Sequence, residues 1–259
     1  MEKNQNTVIE YQNVCKKFAN SESLAVDHVS AEVGKGEFVT ILGSSGCGKT
    51  TLLKLTNRLY DADEGSILIR GEDIAKTDPV ELRRSMGYVI QQVGLFPHMT
   101  VQDNITAIPK LLKWKKERMQ ERADELLNLV GLDPAQFRSR YPHQLSGGQQ
   151  QRIGLARALV LDPDIMLMDE PFGAIDAITR LNLQNELLRI QKELEKTILF
   201  VTHDINEAFK LGDRTMIMNE GKLLQFDTPK KIAHAPADPF VRTLIDSAKA
   251  QEEFWEETE

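Results

Sequence analysis

The sequence predicts an α/β fold, and three observations support this prediction. A glycine-rich loop at 43–50 follows an apolar strand and precedes a helical segment. Two further apolar strands, at 165–169 and 197–203, flank a helical segment through about 177–195. Between these parts, residues 93–160 change to a helical pattern. We therefore predict an α/β core that carries an inserted α-helical subdomain.

The remaining elements follow from local periodicity and turn residues. Short β-rich pieces fill 7–43 with a turn at 34–36, and together with the glycine-flanked strand 65–71 they predict an N-terminal antiparallel β subdomain. Residues 87–92 predict a strand that leaves the core, and 214–226 a hairpin that turns at 219–221.

The inserted segment and the C-terminus complete the predicted organisation. One face of a helix at 115–130 gathers the apolar side chains Met119, Ala123, Leu126, Leu127 and Val130. The last stretch predicts two short helices and an acidic end, with glutamates at 252, 253, 256, 257 and 259. The domains are a discontinuous core (1–92 and 161–235), a helical subdomain (93–160) and a C-terminal helix with an acidic tail (236–259).

Composition limits the classes of function. A net charge of −7 argues against a sequence-independent nucleic-acid binder, which needs a basic face. No apolar run approaches the roughly 18–20 residues that span a bilayer, and the N-terminus lacks the apolar core of a secretory signal. The two cysteines, Cys15 and Cys47, fit no metal-binding spacing. We expect a cytosolic protein that does not bind nucleic acid.

The 43–50 loop has the residues of a phosphate cradle. Its glycines allow backbone N–H groups to converge on phosphate oxygens, and the helix that follows adds its dipole. Lys49 is expected to reach the β and γ phosphates, and the Thr50 hydroxyl to bind Mg²⁺. A chance match in a Gly/Ser turn is the alternative, but the flanking strand and helix favour the cradle. The expected ATP-binding residues are Gly43, Ser44, Ser45, Gly46, Cys47, Gly48, Lys49, Thr50 and Thr51.

Two carboxylates, Asp169 and Glu170, end the apolar strand at 165–169. Ligands bind at the carboxyl edge of open α/β sheets, so we expect Asp169 to hold Mg²⁺ through water. Glu170 is the candidate general base for an attacking water. A solvent-facing acidic pair is the alternative, and the phosphate loop makes it the weaker one.

Polar residues also follow two other strands. His203 ends the strand that is expected to neighbour Asp169 and Glu170, where it can donate a hydrogen bond to the γ phosphate and orient the water. Gln91 ends the strand that leads into the insertion, where it is placed for Mg²⁺ or water. A structural role is the common alternative for a lone histidine.

The segment Leu145–Gln149, LSGGQ, carries two glycines and a serine at a predicted helix start. That arrangement suits anion binding, and Ser146 also suits an N-cap; both roles can hold at once. The phosphate loop is already a complete binding site for one nucleotide. We therefore expect this second surface to cover the γ phosphate of the nucleotide that is bound to another copy of the chain. The residues concerned are Ser146, Gly147, Gly148 and Gln149.

Over nearly its whole length, the chain resembles the ATP-binding subunits of ABC transporters. The resemblance implies a P-loop NTPase (RecA-like) core. The matching motifs are Walker A (43–50), the Q-loop (Gln91), the signature (145–149), Walker B (165–170), the D-loop (173–176, with Asp176) and the H-loop (His203). Phe18 matches the aromatic residue that stacks on adenine in the family. Ile175 departs from the usual leucine of the D-loop, which we expect to be harmless.

The resemblance also implies partners and a location. Members form head-to-tail homodimers that sandwich two ATP molecules, act with integral-membrane permease subunits, and meet an extracytoplasmic solute-binding protein through the permease. The implied place is the cytoplasmic face of the cell membrane, as a peripheral subunit.

The finer pattern points to a class of importer. Residues 91–105 and 172–180 are most similar to subunits serving quaternary-amine osmoprotectants such as glycine betaine, carnitine or choline. Amino-acid and polyamine importers share much of this pattern, so those solutes stay open. Many osmoprotectant subunits continue into a pair of regulatory CBS domains, and this chain ends about where those begin.

Two other functions are weaker expectations. A soluble ABC ATPase acting on DNA or ribosomes typically inserts a long coiled coil or fuses two cassettes, whereas this chain has one cassette and an acidic balance. A kinase would have no use for the LSGGQ segment.

Overall fold

The computed structural model describes residues 6–19, 21–91, 94–173 and 175–256, of which 250–256 are described by their backbone alone. The chain forms two compact units. The first unit comprises 1–82 and 197–259, and the second comprises 83–196. Both mix helices with strands, which confirms the predicted α/β class.

The first unit contains the predicted antiparallel sheet. Its strand order is β2-β1-β4-β5, made by β1 (Thr7–Lys17), β2 (Leu24–Gly34), β4 (Glu64–Ile69) and β5 (Glu72–Asp73). One face of β1 enters the core through the buried side chains of Ile9, Tyr11 and Val14. Register shifts interrupt the pairing of β1 with both neighbours, so this sheet carries β-bulges near 13–16.

A second group of strands in the first unit positions the phosphate loop. Strand β3 (Phe38–Gly43) lies between β8 (Thr197–Thr202) and β9 (Arg214–Asn219) and is parallel to both. All residues of β3 and β8 are buried, which explains why both strands are continuous apolar runs. Strand β10 (Lys222–Asp227) returns antiparallel to β9, so the predicted hairpin is confirmed.

The helices of the first unit flank these strands. They are α1 (Lys49–Thr56), α9 (Ile205–Leu211), α10 (Pro229–His234) and α11 (Pro239–Glu256), and α2 (Pro79–Arg84) crosses the boundary into the second unit. The sequence predicts that the helix after the loop starts near Gly48 and runs to about Leu59. Helix α1 instead ends at Thr56, because Arg58 adopts a left-handed backbone with φ of 53°. The prediction of two short C-terminal helices was wrong for the second of them, which spans 18 residues. Val241 and Ile245 anchor that helix in a cluster with Ile217 and Ile232.

The second unit combines two parallel strands with helices. Strand β6 (Met86–Val89) pairs with β7 (Ile165–Asp169). The predicted strand extended to Gln92, which lies outside the described residues, whereas β6 ends at Val89. The helices are α3 (Val101–Ile105), α4 (Ala107–Leu111), α5 (Lys116–Leu129), α6 (Pro134–Phe137), α7 (Gly147–Ala158) and α8 (Ala177–Leu194). On the predicted apolar face at α5, Ala123, Leu126, Leu127 and Val130 are buried and Met119 is half-buried. Among the described residues, no helix combines the length and apolar character needed to cross a membrane.

Candidate functional site

The loop after β3 is shaped by glycines that no other residue can replace. A Cβ atom on Gly43 would lie 2.1 Å from the Met218 carbonyl oxygen and 2.7 Å from Cys47 Sγ. A Cβ atom on Gly48 would lie 2.1 Å from the Ala25 carbonyl oxygen, and Gly48 has a φ of 106°. The close approach of β9 and the left-handed turn into α1 therefore both depend on the absence of a side chain.

Lys49 places its ammonium group against the backbone of this loop. Its side chain is buried, and Nζ donates hydrogen bonds to the carbonyl oxygens of Gly43 (2.8 Å) and Ser44 (2.9 Å). The three residues above it, Ser44, Ser45 and Gly46, are exposed, and Thr50 and Thr51 lie in the first turn of α1. A fixed positive charge, an exposed backbone and a helix N-terminus converge here, which suits a phosphate group.

Cys47 holds the loop in place rather than facing solvent. Its carbonyl oxygen accepts a hydrogen bond from Gly221 N (3.0 Å), which ties the loop to the β9–β10 hairpin. Burial raises the pKa of the Cys47 thiol, and the positive charge of Lys49 partly offsets that effect. The thiol is therefore protonated near neutral pH.

His203 follows β8 at the same sheet edge as the phosphate loop. The parallel register pairs Leu42 with Thr202, so the next residues, Gly43 and His203, leave neighbouring strands side by side. The His203 side chain is exposed. Asp204 turns the chain into α9, because its Oδ1 accepts hydrogen bonds from the backbone N–H groups of Asn206 (2.9 Å) and Glu207 (3.3 Å). The first unit thus brings His203 and the loop together.

Phe18 lies just after β1 and is half-buried. Its ring packs edge-on against Tyr60, with 5.2 Å between the ring centroids, and Lys16 Nζ lies 5.9 Å from the ring. Tyr60 was not singled out from the sequence. In the sequence Tyr60 is simply an aromatic residue shortly after the helix that follows the phosphate loop, and such a residue alone does not indicate a ligand.

The second unit brings the predicted Walker B and Q-loop residues together. The parallel pairing of Val89 with Met168 places Gln91 and Glu170 at equivalent positions beyond β6 and β7. Gln91 Nε2 donates a hydrogen bond to Glu170 Oε2 at 3.3 Å. Asp169 is buried at the end of β7, and Glu170 follows in a left-handed conformation with φ of 44°. Such strain in a residue other than glycine is typical of functional sites.

The LSGGQ segment begins α7 with a complete capping box. Ser146 Oγ accepts a hydrogen bond from Gln149 N (3.3 Å), and Gln149 Oε1 accepts one from Ser146 N (3.0 Å). A Cβ on Gly148 would lie 2.6 Å from Thr179 Cγ2, whereas one on Gly147 would meet nothing within 4 Å. The N-cap interpretation of Ser146 is confirmed. Its contact with a phosphate stays a prediction.

Asp176 caps the next helix, α8, in the same way. Its Oδ1 accepts a hydrogen bond from Thr179 N at 3.0 Å, and this bond is the main reason that the pKa of Asp176 lies below its ordinary value. Ile175 is buried beside it. Ala174, the other central residue of the predicted D-loop, lies outside the described residues.

Comparison with known proteins places the chain among relatives of one kind. Residues 26–173 match the sequence profile of the ABC transporter family. A carnitine transport ATP-binding protein of Listeria monocytogenes is 54% identical over 238 residues, which are 92% of this chain and 59% of that protein. A choline transport ATP-binding protein of Bacillus subtilis is 55% identical over 90% of this chain and 61% of its own length. The chain thus spans about three fifths of these relatives.

A solved structure agrees with these matches. A dimeric ATP-binding cassette in a post-hydrolysis state, bound to ADP and Pi, aligns with a TM-score of 0.75 and 34% identity. The alignment covers 85% of this chain and 98% of that one. Sequence, fold and local geometry agree, and the chain belongs to the ABC transporter family.

Proposed function

We propose that this chain is the ATP-hydrolysing motor subunit of an ABC importer for a quaternary-amine osmoprotectant. The observation that carries the proposal is the phosphate loop, in which the buried Lys49 ammonium lies under a glycine-shaped turn at the start of α1. Membership of the ABC transporter family supports nucleotide binding, and we assign that binding to this loop. The hydrolytic role rests on Glu170, held by Gln91 at the end of β7.

The side chains divide the chemistry of ATP hydrolysis between them. The loop N–H groups and Lys49 bind the phosphates, and Phe18 stacks on the adenine. Glu170 accepts a proton from the attacking water, and His203 donates a hydrogen bond to the γ phosphate. Asp169, Gln91 and the Thr50 hydroxyl offer only oxygen ligands and are the residues that would hold Mg²⁺. When bound, Mg²⁺ supplies charge neutralisation at the phosphates.

Two copies of the chain form the working ATPase. The capped start of α7 presents exposed backbone at Ser146 and Gly147, which suits an anion from a partner chain. The relative bound to ADP and Pi is dimeric. We therefore propose a head-to-tail homodimer in which Ser146–Gln149 of one copy, together with Asp176, complete the ATP site of the other.

We infer the class of solute from the names of the relatives. Two of them carry the names of carnitine and choline, which share a quaternary ammonium group. We propose a permease in the membrane and an extracytoplasmic solute-binding protein as partners, with this subunit bound peripherally at the cytoplasmic face. Amino-acid and polyamine import are the alternative solute classes.

The experiment that tests this function is a native pull-down of the chain from solubilised membranes, followed by mass spectrometry. A multi-span permease should co-purify at a fixed stoichiometry. The reconstituted complex, with its solute-binding protein, should hydrolyse ATP faster with glycine betaine, carnitine or choline than with spermidine or an amino acid. Recovery with ribosomes or nucleic acid from the soluble fraction would contradict the transport function and leave the ATPase alone.

A further inference from the structure

Three potential metal ligands lie side by side in the antiparallel sheet of the first unit. Cys15 on β1 is the direct cross-strand partner of Glu64 on β4. On the other side of β1, Val14 pairs with Val29 and Lys16 with Val26, so two residues of β2, Asp27 and His28, stand opposite Cys15 alone. This is a β-bulge, a feature that redirects side chains.

The bulge gives His28 an unusual backbone. Its φ is 50°, in the left-handed region that residues other than glycine rarely adopt. The ligand atoms of Cys15, His28 and Glu64 all lie within 4.8 Å of one another. Tetrahedral zinc sites need ligand separations of roughly 3.5 Å, given bond lengths of about 2.0–2.3 Å. Because His28 and Glu64 are exposed, their side chains can close that difference by small rotations.

The surroundings prepare two of the ligands for a cation. Asp27 Oδ1 lies 2.5 Å from His28 Nδ1, so the carboxylate holds the proton on Nδ1 and leaves Nε2 as the ligand nitrogen. The His28 backbone N–H donates a hydrogen bond to Cys15 Sγ at 3.3 Å, so the bulge holds the sulfur atom beside the histidine. Lys222 Nζ lies 3.6 Å from the other Asp27 oxygen and helps to hold that carboxylate in place.

We propose that Cys15, His28 and Glu64 form a binding site for a borderline-soft divalent cation such as Zn²⁺, with solvent as the fourth ligand. Thiolate, imidazole and carboxylate together select zinc over the hard cations Mg²⁺ and Ca²⁺. The ion would link β4, β1 and β2 across the bulge. The site shares no residue with the phosphate loop, so metal binding can be tested without nucleotide.

Co²⁺ is the probe of choice, because its bond to a thiolate produces a charge-transfer absorption that its bonds to nitrogen or oxygen do not. Titration of the nucleotide-free full chain with Co²⁺ should produce this absorption with one ion per chain, and Zn²⁺ should abolish it. Cys15→Ser should remove the band. Cys47→Ser, which changes the other of the two cysteines, and His234→Gln, on an exposed histidine far along the sequence, should keep it.

The remaining ligands are tested by variants that preserve the fold. Asn tolerates a positive φ, so His28→Asn suits the bulge, and Glu64→Gln changes an exposed side chain. Each should weaken Co²⁺ binding at least about tenfold, and Asp27→Asn by a similar factor. The proposal is overturned if no charge-transfer band forms, if the band persists in Cys15→Ser, or if both His28→Asn and Glu64→Gln bind Co²⁺ as tightly as the unchanged chain.

Discussion

The Gln91 side-chain amide donates a hydrogen bond to the Glu170 carboxylate across 3.3 Å. The two residues follow neighbouring parallel strands of the second unit, and Glu170 is held in a left-handed backbone conformation. The amide and the strained turn together orient the carboxylate. In the proposed mechanism Glu170 accepts a proton from water, and a fixed position of its carboxylate favours that transfer.

Glu170→Gln should preserve ATP binding and reduce hydrolysis by at least about 100-fold, because the amide cannot accept the proton. The variant should accumulate as an ATP-bound dimer that elutes earlier than the monomer in gel filtration with MgATP. Glu121→Gln, an exposed change on α5, is the matched control and should hydrolyse ATP at the unchanged rate. Near-normal hydrolysis by Glu170→Gln would show that Glu170 is not the base.

Ser146→Arg should prevent dimer closure without weakening nucleotide binding to the monomer, because a long cation replaces a small hydroxyl at the proposed partner surface. The substitution also removes an N-cap, which costs about 1 kcal/mol of stability. Thr228→Arg removes the equivalent cap of α10 and separates the two effects. Gel filtration with MgATP and fluorescent-nucleotide titration measure both properties. Weaker nucleotide binding by the Ser146→Arg monomer alone would contradict the two-chain site.

Alkylation of Cys47 should be slow at neutral pH and accelerate as pH rises. Burial raises the pKa of this thiol, so the reactive thiolate is scarce below that pKa and its population grows about tenfold per pH unit. Mass spectrometry of the peptide that contains residue 47 follows the rate, and MgATP should protect the loop. A fast, pH-independent reaction at residue 47 would contradict the raised pKa of the Cys47 thiol. Alkylation is also expected to inhibit ATPase activity, and inhibition that persists in Cys47→Ser would show that another thiol is responsible.

Tyr11→Phe should lower the free energy of unfolding by about 1 kcal/mol through loss of a buried hydrogen bond. Tyr11 Oη lies 2.7 Å from Thr56 Oγ1, whose own proton goes to the Leu52 carbonyl oxygen at 2.9 Å, so Tyr11 is the donor. Burial also raises the pKa of Tyr11, which keeps the phenol protonated. Urea denaturation of Tyr11→Phe, Thr56→Val and the double variant gives the coupling energy. Strictly additive losses would show that the two hydroxyls do not interact.

The sequence predicted the parts of the site that depend on one short segment. Each motif contains its own geometry: glycines around Lys49, a serine with a glutamine three residues later at 146–149, and carboxylates at the end of a buried strand. Local rules for helix capping and left-handed turns are sufficient for these features.

Features that depend on pairing between distant segments were not predictable in this way. The bulge that sets His28 beside Cys15 arises from strand register, and the contact of Phe18 with Tyr60 joins two loops that are distant in the sequence. Register is determined by the whole sheet and not by the residues concerned. The early end of α1 at Thr56 likewise reflects the left-handed conformation of Arg58 rather than a change in apolar pattern.

Strand β3 is hydrogen-bonded on both sides, to β8 and to β9, and every one of its residues is buried. Its amides should therefore exchange with deuterium only when the first unit unfolds globally, whereas the exposed turn at Ser44–Gly46 should exchange within local fluctuations. The boundary between slowly and rapidly exchanging amides is expected at Gly43. Strand β3 would then keep its hydrogen bonds while the loop changes conformation during each cycle of ATP hydrolysis, so repeated cycles should not unfold the first unit.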